Sequence, residues 1–180
     1  MEFFYQLLGI FWLLLPAGIA NMAPVLVKNI DFLDFPIDAG KKFRGKEIFG
    51  SHKTFRGFFF GTLAGIIIAY AQGIFYPFAK SFALIDYSAT NLLLLGFLLG
   101  FGALAGDSIK SFFKRQIGIK PGQEWWFFDQ TDWIVGAFMF LSIYHQFNFS
   151  IYLIGIVLMG MLHPLINLAG YYLGMKKNKF

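Results

Sequence analysis

Four long stretches of this chain contain no Asp, Glu, Lys or Arg, and they limit its possible folds more than any other feature. They cover residues 3–27, 57–79, 87–106 and 133–175. A helix needs about 20 apolar residues to cross roughly 30 Å of hydrocarbon, so each of the first three stretches matches one membrane span. The fourth is about twice that length, and polar residues at His145, Gln146 and Asn148 divide it near the middle.

We therefore expect an all-α integral membrane protein with five transmembrane helices in a single membrane domain, residues 1–180. The predicted spans cover about 3–27, 57–79, 87–109, 130–146 and 150–174. Helices satisfy every backbone polar group within the segment, whereas barrel strands would need an alternating polarity that these runs lack. The composition agrees, because charged residues make up only 14% of the chain, too few for a surface that faces water on all sides.

Basic residues set the predicted orientation. Fourteen of the fifteen lysines and arginines fall between spans one and two, between spans three and four, or after span five; only Lys80 falls on the other side. Positive residues concentrate in cytoplasmic loops. The N-terminus is therefore predicted outside, with the C-terminus and two cytoplasmic loops, about 28–56 and 110–129, inside. In the cell membrane, these loops would form a site on the cytoplasmic face.

Three aspartates near predicted membrane boundaries are candidate metal ligands. Asp107 is the deepest charged residue of span three, and Asp129 and Asp132 share one face at the start of span four. An ionisable group at such a depth is costly and is a functional-site candidate. Carboxylate oxygens suit Mg²⁺, which keeps positions for water and substrate phosphates. A magnesium site is therefore predicted, with helix capping by one acid as the alternative.

The helix of span three is predicted to continue out of the bilayer with one polar face. At helical spacing this face adds two hydroxyls and three cations to Asp107. These residues are Ser108, Lys110, Ser111, Lys114 and Arg115. Cations resting near anionic headgroups are the ordinary alternative, but that alternative does not explain an acid at the deepest point of the face.

The first loop alternates glycine with cations before span two begins. Glycine-rich turns and helix N-termini both present backbone N–H groups that bind anions. Lys53, Thr54 and Arg56 are therefore predicted to hold phosphates at the start of span two. The spacing is not that of a Walker motif, and a solvated loop on the positive side of the membrane is the alternative.

These features favour phosphoryl or nucleotidyl transfer, in which positioning and charge neutralisation supply most of the catalysis. The chain has no cysteine, and its histidines form no nucleophilic or metal-ligand pattern. A site at the membrane surface implies a soluble nucleotide and a lipid whose head reaches the interface. Nucleic acid is not an expected partner, because the basic residues follow the membrane side and form no groove.

The polar motifs resemble those of the CTP-dependent phosphatidate cytidylyltransferase family. The motifs are Gly106-Asp107-Ser108-x-Lys110-Ser111-x-x-Lys114-Arg115, Lys120-Pro121-Gly122, Asp129-Gln130-x-Asp132, Pro36-x-Asp38-x-Gly40 and Gly50-x-x-Lys53-Thr54-x-Arg56-Gly57. Together they are most similar to the family's short archaeal branch, the CDP-archaeol synthases. Two departures from the bacterial pattern, Gln130 in place of arginine and Pro121 in place of aspartate, favour that branch.

The resemblance implies that CMP passes from CTP to an isoprenoid ether lipid phosphate in the bilayer, with release of pyrophosphate under Mg²⁺. The archaeal lipid is unsaturated archaetidic acid, 2,3-bis-O-geranylgeranylglycerol 1-phosphate. By position, the implied metal ligands are Asp107, Asp129 and Asp132, and Lys114 and Arg115 join them as catalytic residues. The remaining candidates for substrate binding are Asp38, Arg44, Lys46, Ser108, Lys110, Ser111 and Lys120.

Two other functions remain open at this point. A CTP-dependent polyprenol or lipid kinase would release CDP and would need a general base near an acceptor hydroxyl. A non-enzymatic transporter or scaffold is the second alternative, although no inverted repeat supports transport. Glycines spaced four apart in spans two and three indicate close helix packing, either within one bundle or at the seam of a homodimer.

Overall fold

The computed structural model describes residues 1–120, 123, 125 and 127–172, apart from the side chains of 163, 166, 167, 169 and 170. Within these residues it contains five helices, α1 Glu2–Leu26, α2 Phe55–Ala79, α3 Leu92–Gln116, α4 Phe128–Leu141 and α5 Phe149–Tyr172. A short antiparallel hairpin in the first loop pairs β1 Lys42–Phe43 with β2 Lys46–Glu47. The predicted helical class is confirmed, and the hairpin is an addition to it.

Three of the helices are long and apolar enough to cross a membrane. These are α1, α2 and α3, each of 25 residues. In the described part of the chain, the apolar stretch of α5, Phe149–Leu162, is shorter. Helix α4 has 14 residues, about 21 Å at roughly 1.5 Å per residue. Five spans with the N-terminus outside therefore remain a prediction, and the tail lysines Lys176, Lys177 and Lys179 lie outside the described residues.

The start of α3 and the end of α4 differ from the bounds of the predicted spans. Span three was expected from residue 87, but α3 begins at Leu92, because the Asn91 side chain caps it by accepting the Leu94 N–H at 3.0 Å. Span four was expected to reach residue 146, but α4 ends at Leu141. The chain turns there, and the His145 N–H donates to the Leu141 carbonyl at 2.8 Å.

Glycines let α2 and α3 pack with their backbones in contact. A Cβ on Gly65 would lie 2.9 Å from Gly100 Cα, and a Cβ on Gly96 would lie 2.8 Å from the Gly65 carbonyl oxygen. Neither position has room for a larger residue. The four-residue glycine spacing is thus used for packing within this bundle, and a homodimer remains a separate prediction.

Large apolar side chains cover much of the outer surface, while small and aliphatic residues fill the interior. Phe78 is 83% exposed and Met161 is 70% exposed, whereas Leu13, Leu99 and Ile134 are fully buried. Such an exposed apolar surface fits contact with lipid tails, as the composition predicted.

The carboxyl ends of α1 and α3 and the amino ends of α2 and α4 meet at one end of the bundle. The Arg56 guanidinium, in the first turn of α2, donates to the Ile30 carbonyl just beyond α1. The Lys53 ammonium, just before α2, pairs with Asp107 on α3. Most of the polar residues singled out in the sequence therefore lie at this end.

Candidate active site

The site begins where α3 and α4 touch through glycine. A Cβ on Gly106 would lie 2.9 Å from Gly136 Cα, and it would also collide with the Asp132 carbonyl oxygen. A Cβ on Gly102 would lie 2.8 Å from the Gly136 carbonyl. Because Asp107 follows Gly106 directly, this close packing brings its carboxylate next to that of Asp132.

The Lys110 ammonium lies at the centre of the three aspartates. Its Nζ is 3.1 Å from Asp107 Oδ1, 2.7 Å from Asp129 Oδ1 and 2.8 Å from Asp132 Oδ2. The Lys110 side chain is 13% exposed and that of Asp132 only 4%. Carboxylates from two helices thus surround one cation in a partly buried setting.

Two more lysines complete this group. The Lys53 ammonium pairs with Asp107 Oδ2. Lys114 Nζ lies 3.0 Å from both carboxylate oxygens of Asp129 and donates to the Gln123 carbonyl at 2.5 Å. We call Lys53, Lys110, Lys114, Asp107, Asp129 and Asp132 the aspartate–lysine cluster. The cluster thus brings three acidic and three basic side chains together.

The surroundings of Asp129 favour its ionised form. Burial opposes ionisation, but hydrogen bonds from Lys110, from the Trp125 N–H and from Lys114 outweigh it and lower the pKa of the carboxyl below its ordinary value. The Trp125 N–H donates to Asp129 Oδ2 at 2.6 Å. This carboxylate therefore remains an anion at neutral pH and attracts cations.

The carboxylate oxygens of the three aspartates are of the kind that binds Mg²⁺. Their distances to Lys110 Nζ, however, are those of contacts with an ammonium group. Mg²⁺ prefers oxygen ligands at about 2.0–2.1 Å, shorter than the separations around Lys110 Nζ. Among the described residues, no group of three acidic or histidine side chains is spaced to hold a metal ion. Asp132 Oδ2 is buried and makes no hydrogen bond of acceptable geometry, despite Lys110 Nζ at 2.8 Å. The donor chemistry of the three carboxylates is therefore that of a Mg²⁺ site, while their contacts in this structure are with lysine.

Arg115 is a second feature that points to an anion. It is 9% exposed, its buried Nε makes no hydrogen bond, and in the described part of the chain no carboxylate pairs with its guanidinium. The nearby Gly50 has a φ of +90°, and a Cβ there would lie 3.7 Å from Arg115 Nη1. A buried and unpaired guanidinium is costly, and a bound anion would remove that cost.

Two of the residues predicted to bind phosphate are occupied by structural contacts. Thr54 caps α2, because its Oγ1 accepts the Gly57 N–H at 3.2 Å. Arg56 Nη2 lies 2.9 Å from Asp34 Oδ1, and Nη1 donates to the Ile30 carbonyl. In this structure both residues hold the first loop against α2, and phosphate binding at these positions stays a prediction.

Asp38 and the serines of α3 also have local partners. The Asp38 carboxylate accepts the Gly40 N–H at 2.9 Å and the Phe49 N–H at 3.0 Å, so in this structure it shapes the first loop. Ser111 Oγ donates to the Asp107 carbonyl at 2.9 Å, and Ser108 Oγ likewise donates within α3. Each hydroxyl can therefore still accept a hydrogen bond, but its proton is already donated within α3.

Three predicted cations contact no aspartate of the cluster within the described residues. Arg44 occupies the hairpin turn, with its Cζ 5.4 Å from the Phe43 ring centroid. Lys46 donates to the Gln116 carbonyl, which fastens the hairpin to the end of α3. Lys120 is exposed, and Pro121 and Gly122 of its motif lie outside the described residues.

Sequence reasoning missed two contributors to the cluster. Gln123 accepts a hydrogen bond from Lys114 through its carbonyl, and its Oε1 accepts the Lys120 N–H at 2.9 Å. Trp125 contributes only its backbone N–H. Residue type does not predict which backbone groups form hydrogen bonds. The signal in the sequence is that both residues lie in the second loop, just before Asp129.

Comparisons with known proteins place the chain among archaeal lipid enzymes. A family model described as "CarS-like: CDP-archaeol synthase" matches residues 3–180. The CDP-archaeol synthase of Methanospirillum hungatei JF-1 is 35% identical over 171 residues, covering 91% of this chain and 98% of the relative. That of Pyrococcus furiosus is 35% identical over 173 residues, covering 96% of this chain and 97% of the relative.

A solved structure has the same overall fold. It is described as "Structural insight into an intramembrane enzyme for archaeal membrane lipids biosynthesis" and aligns with a TM-score of 0.65 at 28% identity. The alignment covers 87% of this chain and 90% of the other. The match supports a membrane-embedded helical bundle for this chain.

Proposed function

The chain belongs to the CDP-archaeol synthase family, and on that premise we propose that it is a CTP-dependent cytidylyltransferase acting on a lipid phosphate in the membrane. In the proposed reaction, a phosphate oxygen of unsaturated archaetidic acid bonds to the α-phosphorus of CTP. The bond from that phosphorus to the β-phosphate bridging oxygen breaks, and pyrophosphate leaves. The products are CDP-archaeol and pyrophosphate, as the sequence motifs predicted.

One observation of the structure carries the mechanism: carboxylates and ammonium groups from α3, α4 and the first loop converge at one point. The attacking lipid phosphate is already an anion, so no strong general base is required. The barrier lies in bringing two polyanions together, and preorganised cations lower it. Lys53, Lys110 and Lys114 supply cations at this point, and Arg115 supplies a buried guanidinium nearby.

We propose Mg²⁺ as the cofactor, held by Asp107, Asp129 and Asp132. The hard oxygen donors and the buried Asp132 Oδ2 support this assignment. When bound, the ion would neutralise phosphate oxygens and orient them for displacement.

The cations of the cluster would then bind substrate oxygens. Arg115, which lacks an ion-pair partner among the described residues, is the strongest candidate for the triphosphate, because an anion there would complete its hydrogen bonds. Lys53 and Lys114 would neutralise phosphate charge while keeping Asp107 and Asp129 oriented. Ser108 and Ser111 can accept hydrogen bonds at the same helix face but have no free proton to offer.

The lipid would reach this point from the bilayer. Ile109 and Phe113 on α3, and Phe127 and Phe128 at the start of α4, are each at least 46% exposed close to the cluster in sequence. An apolar surface next to a charged site is what a substrate with isoprenoid chains and a phosphate head requires. We propose five spans with the N-terminus outside, which would place this site on the cytoplasmic face, where CTP is available.

Label tracing in lipid nanodiscs tests the proposed function. CTP labelled on the α-phosphate should transfer its label to the ether lipid phosphate, while a label on the γ-phosphate should appear in pyrophosphate. A lipid kinase would instead move the γ-label to lipid and release CDP. Absence of any label transfer under Mg²⁺ would exclude both enzymatic functions.

A further inference from the structure

Two buried polar residues lie at the end of the bundle opposite the aspartate–lysine cluster. Gln72 of α2 and Tyr87, in the segment between α2 and α3, are each 2% exposed. Gln72 lies inside α2, about 10 Å from the end of that helix at roughly 1.5 Å per residue. The proposed reaction uses neither residue. A buried polar side chain is costly unless it is hydrogen-bonded, so the partners of both residues decide what they do.

A proline in α1 explains one contact of Gln72. In an unbroken α-helix, the carbonyl of residue 12 would accept the N–H of residue 16. Residue 16 is Pro16, which lies inside α1, and proline has no N–H to donate. The side-chain amide of Gln72 donates to the Trp12 carbonyl instead. In a membrane, where backbone groups need partners within the protein, Gln72 thus replaces the donor that Pro16 lacks.

Three polar atoms at this contact have no hydrogen-bond partner among the described residues. They are Gln72 Oε1, the indole Nε1 of Trp12 and the hydroxyl of Tyr87, and all three atoms are buried. The rings of Trp12 and Tyr87 meet edge to face, with their centroids 6.5 Å apart. Trp12 also contacts Gln72 through its carbonyl, so it connects the other two residues. We call these three residues the Trp12–Gln72–Tyr87 junction.

The hydrogen-bonding groups of the junction suit a small neutral molecule. Trp12 Nε1 can only donate, Gln72 Oε1 can only accept, and the Tyr87 hydroxyl can do either. A molecule that satisfies all three must therefore both donate and accept. A buried ion would need a charged partner, and none of these three side chains carries a charge at neutral pH. Water meets the conditions, since internal waters commonly form about three hydrogen bonds to buried polar groups.

We propose that the Trp12–Gln72–Tyr87 junction binds internal water. The water donates to Gln72 Oε1 and accepts from Trp12 Nε1 and the Tyr87 hydroxyl. It links α1, α2 and the segment that leads to α3, at the level where Pro16 interrupts the backbone hydrogen bonds of α1. The junction lies at the other end of the bundle from the cluster, so this proposal does not depend on the proposed function.

Hydroxyl-radical footprinting by an X-ray pulse tests the proposal on the full-length protein in nanodiscs. Radicals formed from a bound water oxidise the side chains next to it, even where those side chains are buried. After correction for intrinsic reactivity, Tyr87 should be oxidised severalfold faster than Leu99, which is fully buried in the apolar core. Oxidation of Tyr87 at the corrected rate of Leu99 would overturn the proposal.

Isotope exchange distinguishes bound water from bulk water that reaches the junction. The protein is mixed with ¹⁸O-labelled water at varied times before the pulse, and the label incorporated into oxidised side chains is measured by mass spectrometry. Incorporation at Tyr87 should lag behind that at Tyr144, which is 37% exposed at the same end of the bundle. Equal incorporation at the two tyrosines would show that Tyr87 reacts with bulk water and would contradict the proposal. Both measurements use the unaltered protein, so they do not depend on the folding of a variant.

A pair of variants assigns the water to the junction. Trp12→Phe removes the indole donor but keeps the backbone carbonyl that Gln72 contacts, and it should lower the oxidation rate of Tyr87 severalfold. Tyr76→Phe is the matched control. The Tyr76 ring lies 5.6 Å from that of Tyr87, but its hydroxyl is not one of the three buried atoms, so Tyr87 oxidation should stay unchanged. Equal rates in the two folded variants would contradict a water held by Trp12.

Discussion

The aspartate–lysine cluster and the first loop contain the same kinds of residue but use them differently. In the cluster, side chains of the first loop, α3 and α4 form ion pairs with one another. In the first loop, Asp38 and Thr54 accept hydrogen bonds from backbone N–H groups. Arg56, in the first turn of α2, donates to the Ile30 carbonyl and pairs with Asp34. Ion pairs between side chains of different helices therefore distinguish the cluster from the first loop.

The largest expected difference between the two regions concerns the aspartates. Asp107→Asn removes a charge that faces Lys53 and Lys110, so turnover should fall by at least about 100-fold, the scale of losing a preorganised electrostatic contact. Asp86→Asn, at the opposite end of the bundle where Asp86 accepts from Ser88, is the matched control. Label transfer to lipid measures both, and near-normal turnover of Asp107→Asn would remove this residue from the site.

The second prediction tests whether glycine packing builds the cluster. Gly106→Ala places a methyl group against α4, where overpacking costs on the order of 1–3 kcal/mol, and it should also lower turnover by moving Asp107 away from Asp132. Gly18→Ala is the control, because its Cβ would meet only Trp133 at 3.7 Å. Thermal unfolding and label transfer are measured on both. If Gly106→Ala matched the control in both assays, the close α3–α4 contact would not be required.

The third prediction compares neighbouring residues of the first loop. Lys53→Ala should raise the apparent KM for CTP or lower turnover about tenfold, since a charge-assisted contact contributes roughly 1.5–3 kcal/mol. Thr54→Ala removes a helix cap, so it should lower stability by about 1 kcal/mol while leaving kinetics of the folded enzyme nearly unchanged. Steady-state kinetics and unfolding separate the two. Equal kinetic effects would place both residues in one role.

The smallest expected effect is a pH dependence from Asp129. Because its pKa is lowered in the folded state, its contribution to stability is complete above the unfolded value of about 3.9 and is lost as pH falls through the folded value. Unfolding midpoints are therefore expected to fall more steeply below about pH 4 in the unaltered protein than in Asp129→Asn. Parallel pH profiles would show that Asp129 does not contribute in this way.

The sequence predicted the helices well because uncharged runs of span length have few alternatives in a membrane. It placed the start of the third helix too early, since the Asn91 cap lies inside an uncharged run and its contact with Leu94 marks the boundary. It did not predict the hairpin, whose turn depends on positive φ at Arg44 and Gly45. Such a local conformation is weakly encoded by residue type.

The sequence also identified the aspartates, because acids at a membrane boundary are costly and therefore informative. It could not show that Lys110, and not another lysine, lies among all three, since this depends on how α3 packs against α4. Nor could it show that Arg56 is held by Asp34. Which side chains of different helices form ion pairs depends on how closely the helix backbones pack. The spacing of residues along one helix does not contain that information.

The most direct test of the central claim is the Mg²⁺ dependence of label transfer from α-labelled CTP to ether lipid phosphate, compared between the unaltered protein and Asp132→Asn. If the aspartates hold the ion, the unaltered protein forms labelled lipid only with Mg²⁺, and Asp132→Asn needs far more Mg²⁺ or forms none. The same rate and the same Mg²⁺ requirement in both proteins would contradict the account.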